Sequence, residues 1–506
     1  MENLYKKLKS GSDIRGTAAE GVEGEPIELT DKAVFDLTVG FCKWLKENGY
    51  EGKMIAVGHD SRISALRIKN QVIAALGEYG YKIYDCGYAS TPAMFMTTVY
   101  LDCIASVQIT ASHHPFNKNG LKFFTKNGGL NGEDIERITV LASEDYTKNG
   151  SVPDTEVIDY MSVYSAGLRK MICDELGTTE DAKPLVGYKI VVDAGNGVGG
   201  FYAEDVLAPL GADVTGSQFL DMDGMFPNHA PNPENKEAMK SICRATVNSG
   251  ADLGIIFDTD VDRAGCVDKN GNEINRNRLV ALASIIALEN NKGGTIVTDS
   301  VTSTGLTEFI NNELGGVHYR FKRGYRNVIN EQLRLGAQGI NCPLAMETSG
   351  HAAFRDNYYL DDGAYLITKL IIEAAALSKQ GSSLEELIGK LREAKEEKEL
   401  RFRILCDDFR PEGEKIIALF EKAAAEKNGW TSCTDNHEGI RINADSSCGN
   451  GWFLIRLSVH DPIIVLNSES DEEGGTLKMC KDIFKVISGA ENIDKLDISA
   501  LAEYTK

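Results

Sequence analysis

The 506-residue chain has no apolar run approaching the ~18–20 residues of a membrane span, so its sequence gives no reason to place it across a bilayer. Its opening, MENLYKKLKSGSDIRG, lacks the apolar stretch and small-residue cleavage site of a secretory signal, and a cytoplasmic location is expected. Positive charge is scarce: 54 Lys and Arg stand against 75 Asp and Glu, a formal net charge of −21. Nucleic acid and anionic membranes want the opposite balance, so neither is an expected partner. The deficit says nothing against a small anion, whose site is set by a few local cations. The 11 cysteines form no CxxC pair and are odd in number, which argues for reduced thiols rather than a disulfide frame or zinc site. Proline is sparse at 12, and no low-complexity tract appears.

Glycine is what the chain has in excess, with 50 residues and no collagen period, against an average near roughly 7%. The excess suggests many tight turns between strands and helices. At roughly 100–200 residues per domain, the length suggests three to five domains. Strand-like runs at Met54 to Asp60, Tyr81 to Gly87, Ile104 to Thr110, Tyr188 to Gly195, Leu253 to Asp260 and Gly293 to Ser300 alternate with amphipathic stretches such as Arg67 to Tyr79 and Ala364 to Lys379. Such alternation reads as βαβ units with mainly parallel strands. The pattern restarts near Gly187 and Gly293, which gives three similar α/β domains. The charged stretch Leu391 to Arg401 reads as a solvated helix or linker marking a boundary. Beyond it, strand-like Gly439 to Ala444 and Trp452 to Val459 precede a helix from Leu477 to Ile487, a small α+β domain. The expected boundaries are 1–168, 169–276, 277–396 and 397–506.

Four loops carry chemistry. In FDTDVDRAG, Asp258, Asp260 and Asp262 alternate at the end of an apolar strand. Carboxylates this close repel unless a cation sits among them, and hard oxygen ligands suit Mg²⁺. An EF-hand reading fails, because counting from Asp258 the sixth position is Arg263 rather than Gly and the twelfth is Lys269 rather than Glu. A solvated acidic turn is the plainer alternative. In IASVQITASHHPFNKNGLKFF, a strand delivers Ser112, His113 and His114 into a loop, and Asn119-Gly120 can return Lys122 towards it. Serine needs a base, metal or backbone dipoles to act as a nucleophile, and adjacent histidines leave at most one to assist; a capping serine is the competing reading. AMETSGHAAF packs Glu347, Ser349 and His351, able to accept and donate hydrogen bonds to sugar hydroxyls. IRLSVHDP alternates Arg456, Ser458 and His460, where an arginine fork and a hydroxyl suit a phosphate, although a surface salt bridge would use the same arginine. A fifth feature points elsewhere: Gly195, Gly197 and Gly200 spell G-x-G-x-x-G after a strand, with Asp221 and Asp223 about 20 residues on, as in a dinucleotide-binding dehydrogenase.

Taken together and in order, TASHHP with NGLK, DTDVDR, ETSGH and RLSVHDP resemble the phosphoserine, metal, sugar and phosphate loops of the α-D-phosphohexomutases. That superfamily includes phosphomannomutase, phosphoglucomutase and phosphoglucosamine mutase. SDIRG around Arg15, VGHDSRIS, Ser90 to Pro92 and DGMFPNHAPNPE also fit. Six of the eight histidines fall in these segments (His59, His113, His114, His229, His351 and His460).

The resemblance implies three related α/β domains with mixed sheets and a smaller C-terminal α+β domain around a central cleft. It implies a phosphohexomutase that interconverts hexose 1-phosphate and hexose 6-phosphate of mannose or glucose. A hexose 1,6-bisphosphate would serve as intermediate and activator. Ser112 would be phosphorylated and would join Asp258, Asp260 and Asp262 around one Mg²⁺. Arg15, His113, Lys122 and Arg263 would act at the transferring phosphate. Gly324 and Arg326, within FKRGYRN, would help accept the sugar in two orientations. Glu347, Ser349 and His351 would hold its hydroxyls, and Arg456, Ser458 and His460 its other phosphate. Phosphoglucosamine mutase is the rival within the superfamily; a non-catalytic sugar-phosphate-binding relative and the dehydrogenase are rivals outside it. The pattern departs from relatives at His114 (usually Asn), at Met346 (commonly Gly), at Glu438 (commonly Asp) and at Val459-His460-Asp461. Monomer and homodimer are both left open.

Overall fold

Residues 3–147, 150–406, 408–458 and 461–506 are described by the computed structural model. Contacts divide the chain into two compact units, Met1–Ala287 with Pro343–Gly389 and Leu288–Cys342 with Lys390–Lys506.

The first unit begins with a mixed sheet. Its strands run in the order Lys9–Ser10, Asp13–Thr17, Lys118–Thr125, Ala105–Ile109, Met54–His59, Lys82–Tyr88 and Asp154–Val157, with Gly128–Gly129 beside Lys118–Thr125. Ala105–Ile109, Met54–His59, Lys82–Tyr88 and Asp154–Val157 are parallel, and the first three strands are antiparallel. Ala105–Ile109 is buried at every position, as expected of a strand covered on both faces. Helices Asp31–Glu47, Ala65–Glu78, Thr91–Tyr100 and Gly132–Ala142 alternate with these strands. Chain order therefore places the loops at 60–64, 89–91 and 110–117 after the carboxyl ends of parallel strands, where α/β sheets present ligand sites.

Further along the unit, Ile190–Asp193 and Leu253–Phe257 pair in parallel, and Leu253–Phe257 turns directly into antiparallel Ala264–Asp268. That tight reversal carries the three aspartates. Helix Lys236–Ser249 leads in, capped by Asn235 and ended by Gly250 at φ +65°. Leu344–Met346, Ala352–Phe354 and Leu360–Asp361 form an antiparallel group ahead of helix Gly363–Ser378.

The second unit holds the parallel pair Thr295–Thr298 and Val317–Arg320 with helix Tyr325–Ala337. It also holds an antiparallel sheet in the order Trp430–Ser432, Ile440–Ala444, Gly451–Leu457, Ile463–Ser470, Glu396–Ile404 and Leu496–Asp497. Helices Phe409–Glu426 and Gly475–Ile487 accompany it, and Phe402, Phe420 and Phe453 lie fully buried in its core. The charged stretch Leu391 to Arg401, read as a helix or linker, instead enters a strand from Glu396. Exposure alternates along it, so Glu397, Glu399, Arg401 and Arg403 face water while Leu400, Phe402 and Ile404 point inward. Among the described residues, no helix is long and apolar enough to cross a membrane.

Candidate active site

The serine loop begins where Ala105–Ile109 ends. Ser112 is buried and holds φ +50°, a left-handed conformation that a serine adopts only under constraint. Its amide donates to Thr110 Oγ1 at 2.9 Å, and its hydroxyl donates to Asp258 Oδ2 at 2.8 Å. His113 Nδ1 lies 3.3 Å from the same hydroxyl, and Arg263 Nη2 donates to it at 3.4 Å. Of the paired histidines, His113 is thus the one that meets Ser112. Desolvation in the folded loop, with the Arg263, His114 and Arg15 charges, holds His113 well below the usual histidine range, although the residue as a whole is exposed. The loop returns through Gly120, where a Cβ would stand 2.2 Å from Ile14 O and 2.7 Å from Thr110 O. Only glycine lets the strand of Arg15 lie this close, in register opposite Gly120. Arg15 itself pairs with Asp13 at 2.8 Å.

Asp258, Asp260 and Asp262 are all buried, and each offers one carboxylate oxygen within 4.8 Å of the others. Val261 at φ +65° turns the loop so that the alternate aspartates converge. Burial, reinforced by the charges of Asp262 and Asp260, pushes the Asp258 carboxyl far up. Burial opposes ionisation of Asp262 too, but Lys122, His351 and Arg263 outweigh it and hold that carboxyl low. Lys122 Nζ bonds Asp262 and lies 3.4 Å from Asp260 Oδ2. Arg263 Nε is 3.2 Å from Asp258 Oδ2, and Nη1 reaches Asn232 Oδ1 at 3.2 Å. Even so, Asp260 Oδ1 and Asp262 Oδ1 are buried without a hydrogen-bond partner. Hard carboxylate oxygens with orphaned lone pairs, converging in one buried site, fit Mg²⁺.

The Glu347 loop meets this group by backbone pairing. Arg263 and His351 form an antiparallel bridge, and Glu347 N donates to His351 O at 2.9 Å. Gly350 makes the turn at φ +96°, and a Cβ there would lie 2.4 Å from Ala264 O. His351 Nδ1 bonds Asp361, and despite burial that carboxylate and Asp262 raise the imidazole to about 9. Ser349 Oγ is buried without a partner. Ser112, His113, Lys122, Asp258, Asp260, Asp262, Arg263 and His351 therefore gather in one site, with Glu347 at the turn beside it.

The other predicted residues belong to the second unit. Gly324, at φ +117°, precedes helix Tyr325–Ala337, which places Arg326 in its first turn. Arg456 lies near the end of Gly451–Leu457 with Nη1 3.8 Å from Glu438 Oε1. Glu438 Oε2 accepts from Ser300 Oγ at 2.6 Å and from Arg323 N at 3.2 Å, so one carboxylate ties the turn before Gly324 to the arginine. Ser458 Oγ accepts from Asp461 N at 3.3 Å. His460 lies outside the described residues.

The Gly195–Gly200 turn is not a dinucleotide site. Its amides are spent internally: Gly195 N on Asp193 Oδ1, Asn196 N on Phe219 O, Gly197 N on Ala194 O and Val198 N on Thr259 O. A Cβ on Gly197 would meet Thr259 O at 2.6 Å, and one on Gly200 would meet Leu220 O at 2.6 Å. Gly197 and Gly200 thus admit the backbone of the acidic loop and of Leu220, and the amides of residues 195–198 are already bonded.

Three family models match along the chain: the phosphoglucomutase/phosphomannomutase α/β/α domain I at residues 6–147, domain II at 165–271 and domain III at 275–394. The chain belongs to the phosphoglucomutase/phosphomannomutase family. Membership makes it an isomerase of the intramolecular phosphotransferase type, built from three α/β/α domains with mixed sheets and a sheet-rich fourth. A Pseudomonas putida phosphomannomutase/phosphoglucomutase is 30% identical over 437 residues, 85% of this chain and 86% of that one. A Neisseria gonorrhoeae phosphoglucomutase is 28% identical over 494 residues, covering 96% and 98%. A solved phosphoglucomutase/phosphomannomutase family protein from Burkholderia thailandensis superposes with a TM-score of 0.78 over 96% of this chain and 98% of that one, at 24% identity, a likeness of fold.

Sequence reading missed two residues at this cluster. Asp361 reaches His351 across the strand pairing, and Thr91, at the start of its helix, donates its hydroxyl to Asp260 Oδ2 and its amide to Asp260 O. The Asp361-Asp362 pair after an apolar residue was the available signal for the first. Thr91 sits in the Ser90 to Pro92 segment already noted, without a role.

Proposed function

We propose that this phosphohexomutase interconverts hexose 1-phosphate and hexose 6-phosphate of glucose or mannose through a phosphoryl group carried on Ser112 and a hexose 1,6-bisphosphate intermediate. The observation that carries the reading is the buried, left-handed Ser112, its Oγ 2.8 Å from Asp258 and within reach of His113 and Arg263. Asp258, Asp260, Asp262 and the phosphoryl group would hold Mg²⁺. When bound, the ion neutralises charge on the transferring group.

In the forward step a sugar hydroxyl attacks phosphorus, the new P–O bond forms, the P–Oγ bond of Ser112 breaks and the hydroxyl proton is released. Ser112 Oγ regains a proton as it leaves. Lys122 and His113 are the groups assigned to hold or move that proton, while Arg263 and Arg15 stabilise charge in the transition state. Glu347, Ser349 and His351 take the sugar hydroxyls. Arg456, Ser458 and His460 take the non-reacting phosphate, with Gly324 and Arg326 serving both sugar orientations. The bisphosphate turns over, Ser112 takes back the other phosphoryl group, and the same bisphosphate restores a dephosphorylated enzyme.

Glucosamine phosphate is the competing substrate. Conversion of glucose, mannose and glucosamine 1-phosphates compared side by side separates them, and no activity on any of the three contradicts the reading. Ser112→Ala distinguishes a mutase from a sugar-phosphate-binding relative: we expect turnover to fall by at least about 10³-fold while the protein stays folded.

A further inference from the structure

We propose that Arg62 is the positioning residue of the Ser112 loop, a guanidinium that gathers four of the loop's backbone carbonyls and so holds Ser112 in its left-handed, Asp258-facing conformation. Nη1 donates to Pro115 O at 2.7 Å and to Lys118 O at 2.9 Å. Nη2 donates to His114 O at 2.6 Å and to Ser112 O itself. Nε lies 3.2 Å from Asp60 Oδ2 as an ion pair, without hydrogen-bond geometry. Four of the five donors of one planar fork are thus directed at loop carbonyls, and the fifth sits beside the counterion.

Four carbonyl oxygens turned towards one point repel each other, and buried without a donor each would bear a desolvation cost. Arg62 supplies the charge and the directions that make this arrangement stable. Its side chain is fully buried, and the Phe226 ring covers the guanidinium at 5.2 Å. Gly224 seals the approach, since a Cβ there would lie 2.3 Å from Ser61 O and 2.5 Å from Ile63 N. Asp60 links Arg62 to the serine a second way. Its Oδ1 accepts from Arg62 N and its Oδ2 from Thr110 Oγ1, and Thr110 Oγ1 in turn accepts from Ser112 N. Arg62 meets Ser112 at its carbonyl oxygen, so its effect on the reaction passes through the loop backbone. Lysine cannot replace it, because an ammonium carries three donors and no planar fork.

The kinetic part of the inference rests on Ser112 as the phosphoryl carrier; the loop-ordering part does not. The test uses the full chain as Arg62→Lys and as the charge-balanced double variant Asp60→Asn/Arg62→Met, which leaves no lone buried charge. For each folded variant, amide hydrogen exchange of residues 110–119 is compared with the rest of the chain. Alongside it, kcat and KM are measured on whichever hexose 1-phosphate the unaltered protein converts. We expect exchange in 110–119 at least about tenfold faster with other regions unchanged. We also expect kcat down about 100-fold with KM within about threefold, because the sugar-binding residues are untouched while the nucleophile is misplaced. Unchanged protection in 110–119, or kcat within threefold of the unaltered protein, overturns the inference. So does failure of both variants to fold, which would make Arg62 a fold residue only. An unaltered protein inactive on every hexose phosphate contradicts the functional reading, and loop protection then still decides the role of Arg62.

Discussion

Ser112, Asp258 and Arg263 occupy positions that each depends on a neighbour with no side chain to spare. Gly120 lets the Arg15 strand close on the serine loop, and Gly350 lets the Glu347 turn close on Ala264. Gly350→Ala would force a methyl to within 2.4 Å of Ala264 O at φ +96°. We expect it to cost about 2 kcal/mol or more in urea unfolding and to lower turnover, whereas alanine at Gly336, with nothing near its Cβ position, should do neither. At this scale the sequence was readable where chemistry is contiguous. Three aspartates spaced by two off an apolar strand, and a serine followed by two histidines, announce themselves. Asp361 did not, because its bond to His351 depends on strand pairing, and a single string of letters carries no register. The glycine fingerprint at Gly195 is ambiguous for a related reason: glycine marks close approach without saying whether a phosphate or a backbone approaches.

Among the elements, the reversal from Leu253–Phe257 into Ala264–Asp268 concentrates the acidic charge, and Asp260 Oδ1 and Asp262 Oδ1 there are buried without a hydrogen-bond partner. Chelation should abolish turnover and added Mg²⁺ restore it. Mg²⁺ should also raise the unfolding temperature, since a ligand bound only by the folded state stabilises it by mass action. Asp260→Asn should shrink that rise; an unfolding temperature indifferent to Mg²⁺ would count against a site at these residues. Helix Lys236–Ser249 offers a test independent of catalysis. Asn235 accepts from Glu237 N and Ala238 N, and Asn235→Ala should cost about 1 kcal/mol by urea unfolding with kcat little changed. Strands and helices of the alternating α/β part were legible because their apolar runs are long and bounded by turn residues. Glu396–Ile404 was not: its run of Glu, Lys and Arg looks like a solvated helix until pairing with Ile463–Ser470 makes it a strand whose Leu400, Phe402 and Ile404 enter the core.

Over the whole molecule the net charge is −21, and under the proposed function Lys122, Arg263, Arg15 and Mg²⁺ would have to reverse the field locally to draw in a phosphosugar. The second unit carries its own dependence on acid. Burial, with Arg320 and Arg441 nearby, holds His318 well below the usual histidine range, and its ring nitrogens meet Thr298 and Thr307 hydroxyls at 2.7 and 2.8 Å. Below about pH 6.5 the unfolded chain takes up a proton that folded His318 refuses. Stability is therefore full above that pH and falls as pH drops towards the depressed folded value, by at most about 1.4 kcal/mol per pH unit from this group. Urea unfolding between pH 7 and 5 should show the loss, and His318→Gln should flatten it. The central claim, that Ser112 carries the phosphoryl group, is tested most directly by intact mass and peptide mapping after incubation with a hexose 1,6-bisphosphate. The account predicts one phosphoryl-sized increment on Ser112, removed by incubation with excess hexose monophosphate and absent from Ser112→Ala. No increment, or an increment on any other residue, would contradict it.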